Sequence, residues 1–281
     1  MAPILVRYAT DTDPITLAAL RCIFAVFILL PYWLRKRVSL PEMRSNGTKP
    51  ILIAAAGIAL GLHFSLWITS LDYTSVASAS VLVTIHPVML IVAERLIFKK
   101  NFRPLVWIGV LVAFGGSLLL GLADDTGSEL FPNALTGNFL AFSAAVVFVV
   151  YFMIGRKIRQ TTEWIDYVFN VYLFAAIFCV VLTIIWTGGI PLPGKMGILM
   201  GIALAAGPTI IGHGSMNYAV KYVSPTLLST LILSEAVLAA VAAFFLFGEI
   251  PAALSIFAMI LIMAGVSLSW SRRMVRKRDS S

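Results

Sequence analysis

Charge is scarce in this sequence: only 12% of its 281 residues are Asp, Glu, Lys or Arg, about half the usage of an ordinary soluble domain. The two cysteines, Cys22 and Cys179, both fall inside apolar runs, which excludes a disulfide framework and a thiolate metal site and leaves the redox compartment open. With three histidines in all there is no H-E-x-x-H pair, and neither a G-x-S-x-G elbow nor an ATP-binding signature occurs. No two acidic residues sit together within an apolar run. These absences exclude an ATP-driven pump within the chain and argue against an intramembrane enzyme, and they leave no role for a cofactor or metal. The net charge of +8 would suggest nucleic acid in a soluble domain; here no nucleic-acid partner is expected, and the charge is read for where Lys and Arg fall.

What the chain has is apolar sequence. Sixty per cent of the residues are hydrophobic and the mean hydropathy is +0.95, more than a soluble fold can bury. The runs are continuous over about twenty residues, the length that crosses a bilayer as a helix, and lack the two-residue alternation of a barrel strand. The expected fold is therefore an all-α polytopic membrane protein. Runs bounded by charge, Pro and Gly predict spans at Pro14 to Leu34, Pro50 to Leu71, Ser75 to Ile97, Pro104 to Leu122, Leu135 to Ile154, Ile165 to Trp186, Met196 to Val220, Pro225 to Phe247 and Ala252 to Trp270. Ahead of them Met1 to Ala9 is apolar but too short to cross, and it reads as an incomplete first helix.

Lys and Arg alternate between loops. Arg35, Lys36, Arg37, Arg44 and Lys49 fill one connection; Arg95, Lys99, Lys100 and Arg103 fill the next but one. Arg156, Lys157 and Arg159, then Lys221, then Arg272, Arg273, Arg276, Lys277 and Arg278 continue the series, 18 of 21 basic residues in total. The positive-inside rule makes that side cytoplasmic, together with the basic tail 271–281. Asp11, Asp13, Asp72, Asp124, Asp125, Glu129 and Glu249 lie in the opposite connections.

An offset of 149 residues aligns Leu71 to Leu119 with Val220 to Leu268 without a gap. It matches Tyr73 with Tyr222, Ser75 with Ser224, Ser80 with Ser229, Phe98 with Phe247 and Gly116 with Gly265. Five helices per unit is an odd number, so the second unit enters the membrane with opposite topology, the inverted-repeat plan of secondary carriers. The stretch Leu-Asp-Tyr-Thr-Ser-Val-Ala-Ser-Ala-Ser (71 to 80), His86-Pro87 and Gly115-Gly116, with its second copy Lys-Tyr-Val-Ser-Pro-Thr (221 to 226), Phe-Gly-Glu (247 to 249) and Ala264-Gly265, resembles the EamA unit of the drug/metabolite transporter superfamily. That resemblance covers the chain as repeats 1–122 and 135–270. It implies ten spans, a plasma (inner) membrane location with a cytoplasmic C-terminus, and passage of small metabolites through a central cavity.

Ionisable residues deep in spans are costly, about 2.5 to 3.5 kcal/mol each on insertion scales, so they are read as facing a cavity or a partner. His86 and Glu235 are mid-span and related by the offset, which predicts a shared site for substrate or proton; the competing reading is a buried structural hydrogen bond. His63 and His213 are one residue from being related. Thr209 and Asn217, four residues either side of His213, make a polar stripe, and Trp67 follows His63 at i+4, placed to stack on a substrate; interhelical hydrogen bonding is the alternative. Pro87 and Gly207-Pro208 interrupt helices and are read as hinges, with a tolerated proline kink as the alternative; Gly115, Gly116 and Gly265 are read as packing positions, and in the hydrogen-bonding alternative for the histidine set Gly57, Gly61, Gly207, Gly212 and Gly214 allow the helices to approach. Arg21, about 10 Å into its helix, is expected to snorkel outwards. The functional expectation is an alternating-access carrier, an exporter of small organic metabolites such as amino acids, with the proton as a candidate coupling ion. A passive channel is the alternative.

Overall fold

The computed structural model describes residues 2–39, 50–123, 132–235, 237, 238, 241 and 253–270. Its helices are α1 (Ala2–Tyr8), α2 (Pro14–Ser39), α3 (Pro50–Tyr73), α4 (Val76–Val83), α5 (His86–Ile97), α6 (Pro104–Ala123), α7 (Ala134–Ile158), α8 (Trp164–Thr187), α9 (Lys195–Leu204), a π-helical segment (Ala205–His213), α10 (Gly214–Ala219), α11 (Pro225–Ile232) and α12 (Ala253–Trp270). No strand occurs among the described residues. Four of the helices open on proline, whose missing N–H is one that a first turn leaves unbonded anyway.

Among the described residues seven helical stretches are long and apolar enough to cross a bilayer, and Pro104–Leu120 is a shorter apolar helix. Two expected spans differ in detail. The stretch from Ser75 to Ile97 is interrupted at Thr84 and Ile85, because Pro87 lacks the N–H that would continue the ladder and sits in the first turn of a new helix instead. The span from Pro225 runs to Ile232, breaks at Leu233 and is helical again at Ser234 and Glu235, and most of 236–252 lies outside the described residues. Thr84 and Leu233 are themselves related by the 149-residue offset. So are the caps: Ser75 accepts from the Ser78 N–H at 3.0 Å, and Ser224 from the Leu227 N–H at 3.3 Å.

The chain divides into two compact units that are not the sequence repeats. One comprises Met1–Asp72 with Val146–Tyr222, the other Tyr73–Ala145 with Val223–Ser281. Each thus draws on both repeats.

In the first unit α2 packs along α8, α9 and the π segment. Leu17, Ala18, Cys22 and Ala25 are buried, as are Val168, Val171, Tyr172 and Ala175. A Cβ at Gly57 would lie 2.5 Å from Phe174 Cβ and 2.7 Å from the Val171 carbonyl, so α3 and α8 approach backbone to backbone there. Helix ends are tied by side chains. Asp11 accepts from the Met196 and Gly197 N–H groups at 3.0 and 2.8 Å at the start of α9, where the helix dipole favours an anion. Arg156 donates to the Val220 and Lys221 carbonyls and Arg159 to that of Asn217, satisfying acceptors that the end of α10 leaves open, and Arg159 also donates to the Thr162 carbonyl in the turn before α8.

In the second unit α6 and α12 pack tightly along one another. A Cβ at Gly116 would stand 2.8 Å from both the Ala258 carbonyl and the Ile262 N–H, and one at Gly265 would meet the Gly109 carbonyl at 2.6 Å. Ala113, Ala258 and Ile262 fill the seam between them. Glu94, buried at the end of α5, accepts from the Thr226 N–H at 2.9 Å and the Thr226 hydroxyl at 2.6 Å, and pairs with Lys100 at 3.3 Å.

Candidate solute site

The first unit holds a concentration of polar and aromatic side chains within its spans. It is built where Pro208 sits in the π segment: proline supplies no N–H and its ring displaces the preceding turn, so the helix widens for nine residues. The Thr209 hydroxyl bonds back to the Leu204 carbonyl, five residues earlier, at 2.9 Å. Its oxygen also receives the Nε–H of Arg21 at 2.6 Å, and its carbonyl accepts from the Tyr172 hydroxyl at 2.7 Å. Thr209 therefore joins α2, α8 and the π segment at one point.

Arg21 departs from its expected behaviour. It is 2% exposed and does not snorkel, because Thr209 and the face of Phe64, 3.6 Å from the guanidinium carbon, receive it inside the unit. Phe64 leads on to the histidines. Its ring meets His213 edge-on with centroids 5.1 Å apart, and His63 lies 6.1 Å from His213. Phe148 stands 5.3 Å from His63 and 6.0 Å from His213, and Tyr151 stands 6.2 Å from His213. One turn beyond the π segment the Asn217 amide donates to Tyr151 Oη at 2.6 Å. Asn217 Oδ1 and Tyr167 Oη are buried with no hydrogen-bond partner among the described residues. A water or a solute donor or acceptor fits such a pair.

The structure thus brings His63, Thr209, His213 and Asn217 into one neighbourhood, with Trp67 buried a turn further along α3. Arg21, Phe64, Phe148, Tyr151 and Tyr172 join them. Aromatics in an apolar run carry no signal of their own, so the sequence does not single them out; the signal for Arg21 is its depth alone.

His86 and Glu235 belong to the second unit. His86 is buried at the first position of α5. Glu235, expected to be buried, is exposed just past the break at Leu233, with residues 236, 239, 240 and 242–252 outside the described set. Pro87 lies in the first turn of α5 and Gly207 and Pro208 lie in the π segment, so each marks a real interruption. The packing expectation holds at Gly116 and Gly265 and needs correction at Gly115. Gly116, Gly265, Gly57 and Gly61 sit at close approaches, but Gly115 and Gly207 have nothing within 4 Å of a Cβ, Gly212 would meet only the Gly207 carbonyl at 3.9 Å, and Gly214 makes ordinary contacts from 3.5 Å outward. Neighbouring positions on a helix point about 100° apart, so a pair of adjacent glycines cannot face one partner.

A family model described as the EamA-like transporter family matches residues 1–122 and 135–271. The uncharacterized transporter YdfC of Bacillus subtilis (strain 168) is 23% identical over 270 residues, covering 92% of this chain and 82% of YdfC. A solved crystal structure shares the fold with a TM-score of 0.75 at 20% identity, over 99% of this chain and 96% of that one. Two successive matches to one family model, on segments already related by an internal offset and folded into helices of spanning length, make this chain a multi-pass membrane transporter that belongs to the EamA-like transporter family.

Proposed function

We propose that the protein is a secondary carrier in the plasma (inner) membrane that exports small organic metabolites, amino acids or related compounds, by alternating access, and that proton movement drives it. The observation that carries the reading is the set of buried His63, Phe64, Thr209 and Asn217 with half-buried His213 around a proline-induced π segment. Polar groups that far into spans are expensive unless they serve a ligand, and π segments collect at functional sites. His63, Trp67, Thr209, His213 and Asn217 are the solute-contacting residues in this reading. His86 and Glu235 carry the proton, since each is ionisable and lies within or beside a broken helix. The breaks at Pro87 and at Gly207-Pro208 act as hinges.

Sidedness is supported by the helix-end contacts. Arg156 and Arg159 hold the end of α10 near Lys221, Glu94 holds the start of α11, and Asp11 holds the start of α9. Each contact joins two chain segments that the Lys and Arg distribution puts on the same face, with the C-terminus cytoplasmic.

The test is transport per folded molecule in proteoliposomes across an imposed pH gradient. Glu235→Gln keeps shape and hydrogen bonding but cannot change charge, so it is expected to uncouple or abolish proton-dependent flux, while His213→Ala weakens solute affinity. Unchanged turnover and pH dependence in Glu235→Gln would remove the proton from the mechanism.

A further inference from the structure

Arg21 is a buried cation with no carboxylate partner among the described residues. Its side chain makes one hydrogen bond among the described residues, from Nε to Thr209 Oγ1, and one ring contact, with Phe64. A guanidinium has five N–H donors and stays charged at any physiological pH. The acidic residues described in this unit, Asp11, Asp13, Asp72, Glu163 and Asp166, lie at helix ends or in turns, and none of them pairs with Arg21. An uncompensated charge about 10 Å into a span is a standing penalty that a purely structural residue would not keep.

We propose that Arg21 is the docking point for a carboxylate on the transported solute, received end-on by Nη1 and Nη2 while Nε stays on Thr209. The assignment rests on reading this cluster as the solute site, and it narrows the substrate class to organic acids and zwitterions. Three features converge on it. The planar fork matches a carboxylate in a way a point charge does not. The Thr209 hydroxyl gives its proton to Leu204 and its lone pair to Arg21, which fixes the plane of the fork. The Phe64 ring lies over one face of the guanidinium, 3.6 Å from its carbon, so an anion would meet the fork at its edge. One carboxylate needs one such group, whereas a phosphate would call for several cations.

The test uses the purified full chain in detergent and follows thermal unfolding with acetate, benzoate, phenylacetate and L-phenylalanine, each against its amide. Chloride and inorganic phosphate serve as separate arms. Binding to the folded state raises the unfolding temperature in proportion to affinity. At least one acid should bind about tenfold or more tightly than its amide, and the difference should vanish in Arg21→Gln and shrink in Arg21→Lys. The exposed-site control Lys157→Gln should keep it. The proposal is overturned if no acid outperforms its amide, if Arg21→Gln keeps the preference, or if chloride or phosphate stabilises as well as the best acid. Failure of the underlying reading looks different. Equal binding of acid and amide, lost together in His213→Ala, would keep the site and remove only Arg21's role; no binding by any probe with His213→Ala also inert would remove both.

Discussion

Asn217 and Tyr151 show how much a single buried pair matters in this unit. Both are buried, and the amide of Asn217 donates to the phenol at 2.6 Å. Tyr151→Phe removes the acceptor and leaves an N–H without water to replace it, so a loss of about 1 to 3 kcal/mol is expected, read from thermal unfolding in detergent. Thr209→Val should be felt twice, because one hydroxyl serves both Leu204 and Arg21. A solute-binding defect with little loss of folded yield would mark it as part of the site. His63, Thr209, His213 and Asn217 are legible in the sequence because a polar residue on an apolar span is conspicuous. The sequence could not place Arg21, since snorkelling and burial are the same residue in the same helix, decided by whether a neighbouring segment offers an acceptor at that depth. Nor could it foresee Glu235 at the surface of its unit, because nothing in Leu233 or Ser234 announces a break.

Helices in this chain are punctuated by proline and packed through glycine, and the two roles of glycine separate cleanly at Gly115 and Gly116. Gly116→Leu must push α6 from α12, since backbone atoms of Ala258 and Ile262 stand 2.8 Å from its Cβ position. A loss of about 1 to 3 kcal/mol is expected from thermal unfolding, the usual scale of overpacking. Gly115→Ala meets nothing and gains helix propensity, so it should leave stability unchanged or raise it by up to about 1 kcal/mol. Pro87→Ala restores the missing N–H and should let α4 and α5 fuse; slower transport at unchanged folded yield is the expected outcome. At the start of α9, desolvation works to raise the Asp11 carboxyl but is outweighed by the Met196 and Gly197 amides and the Thr12 hydroxyl, and the group titrates below its ordinary value. A lowered folded pKa stabilises above the unfolded value of 3.8 and is lost as pH falls through the lower one. Asp11→Asn should therefore flatten the acid limb of the unfolding curve below about pH 4 and leave the neutral limb largely in place. Proline-led helix starts are legible in the sequence. The π segment is not, because a proline within a span can kink, break or widen a helix, and the choice depends on what Thr209 can reach.

The four charged or polar ties at helix ends link segments far apart in sequence, and they agree with the alternation of Lys and Arg. Cysteine introduced at Lys157 or Lys221 should react with an impermeant thiol reagent from the cytoplasmic side, and cysteine at Ile190, 82% exposed, from the other. The native Cys22 and Cys179 are buried, so background labelling should be low. Labelling of position 190 from the cytoplasm would overturn the sidedness. The internal duplication is readable from the offset, yet the compact units cut across it, because sequence similarity records ancestry and packing records which faces fit. That crossing has a consequence for synthesis. Arg21 and Thr209 are 188 positions apart, so at ribosomal rates of about 5 to 20 residues per second Arg21 enters the membrane roughly 10 to 40 s before its acceptor exists. During that interval α2 carries a charge without its hydrogen bond, and α3 has no α8 to close on. Either the insertion machinery shelters the early helices or they idle at the interface, and retention of the nascent first half by that machinery is the trace the wait would leave.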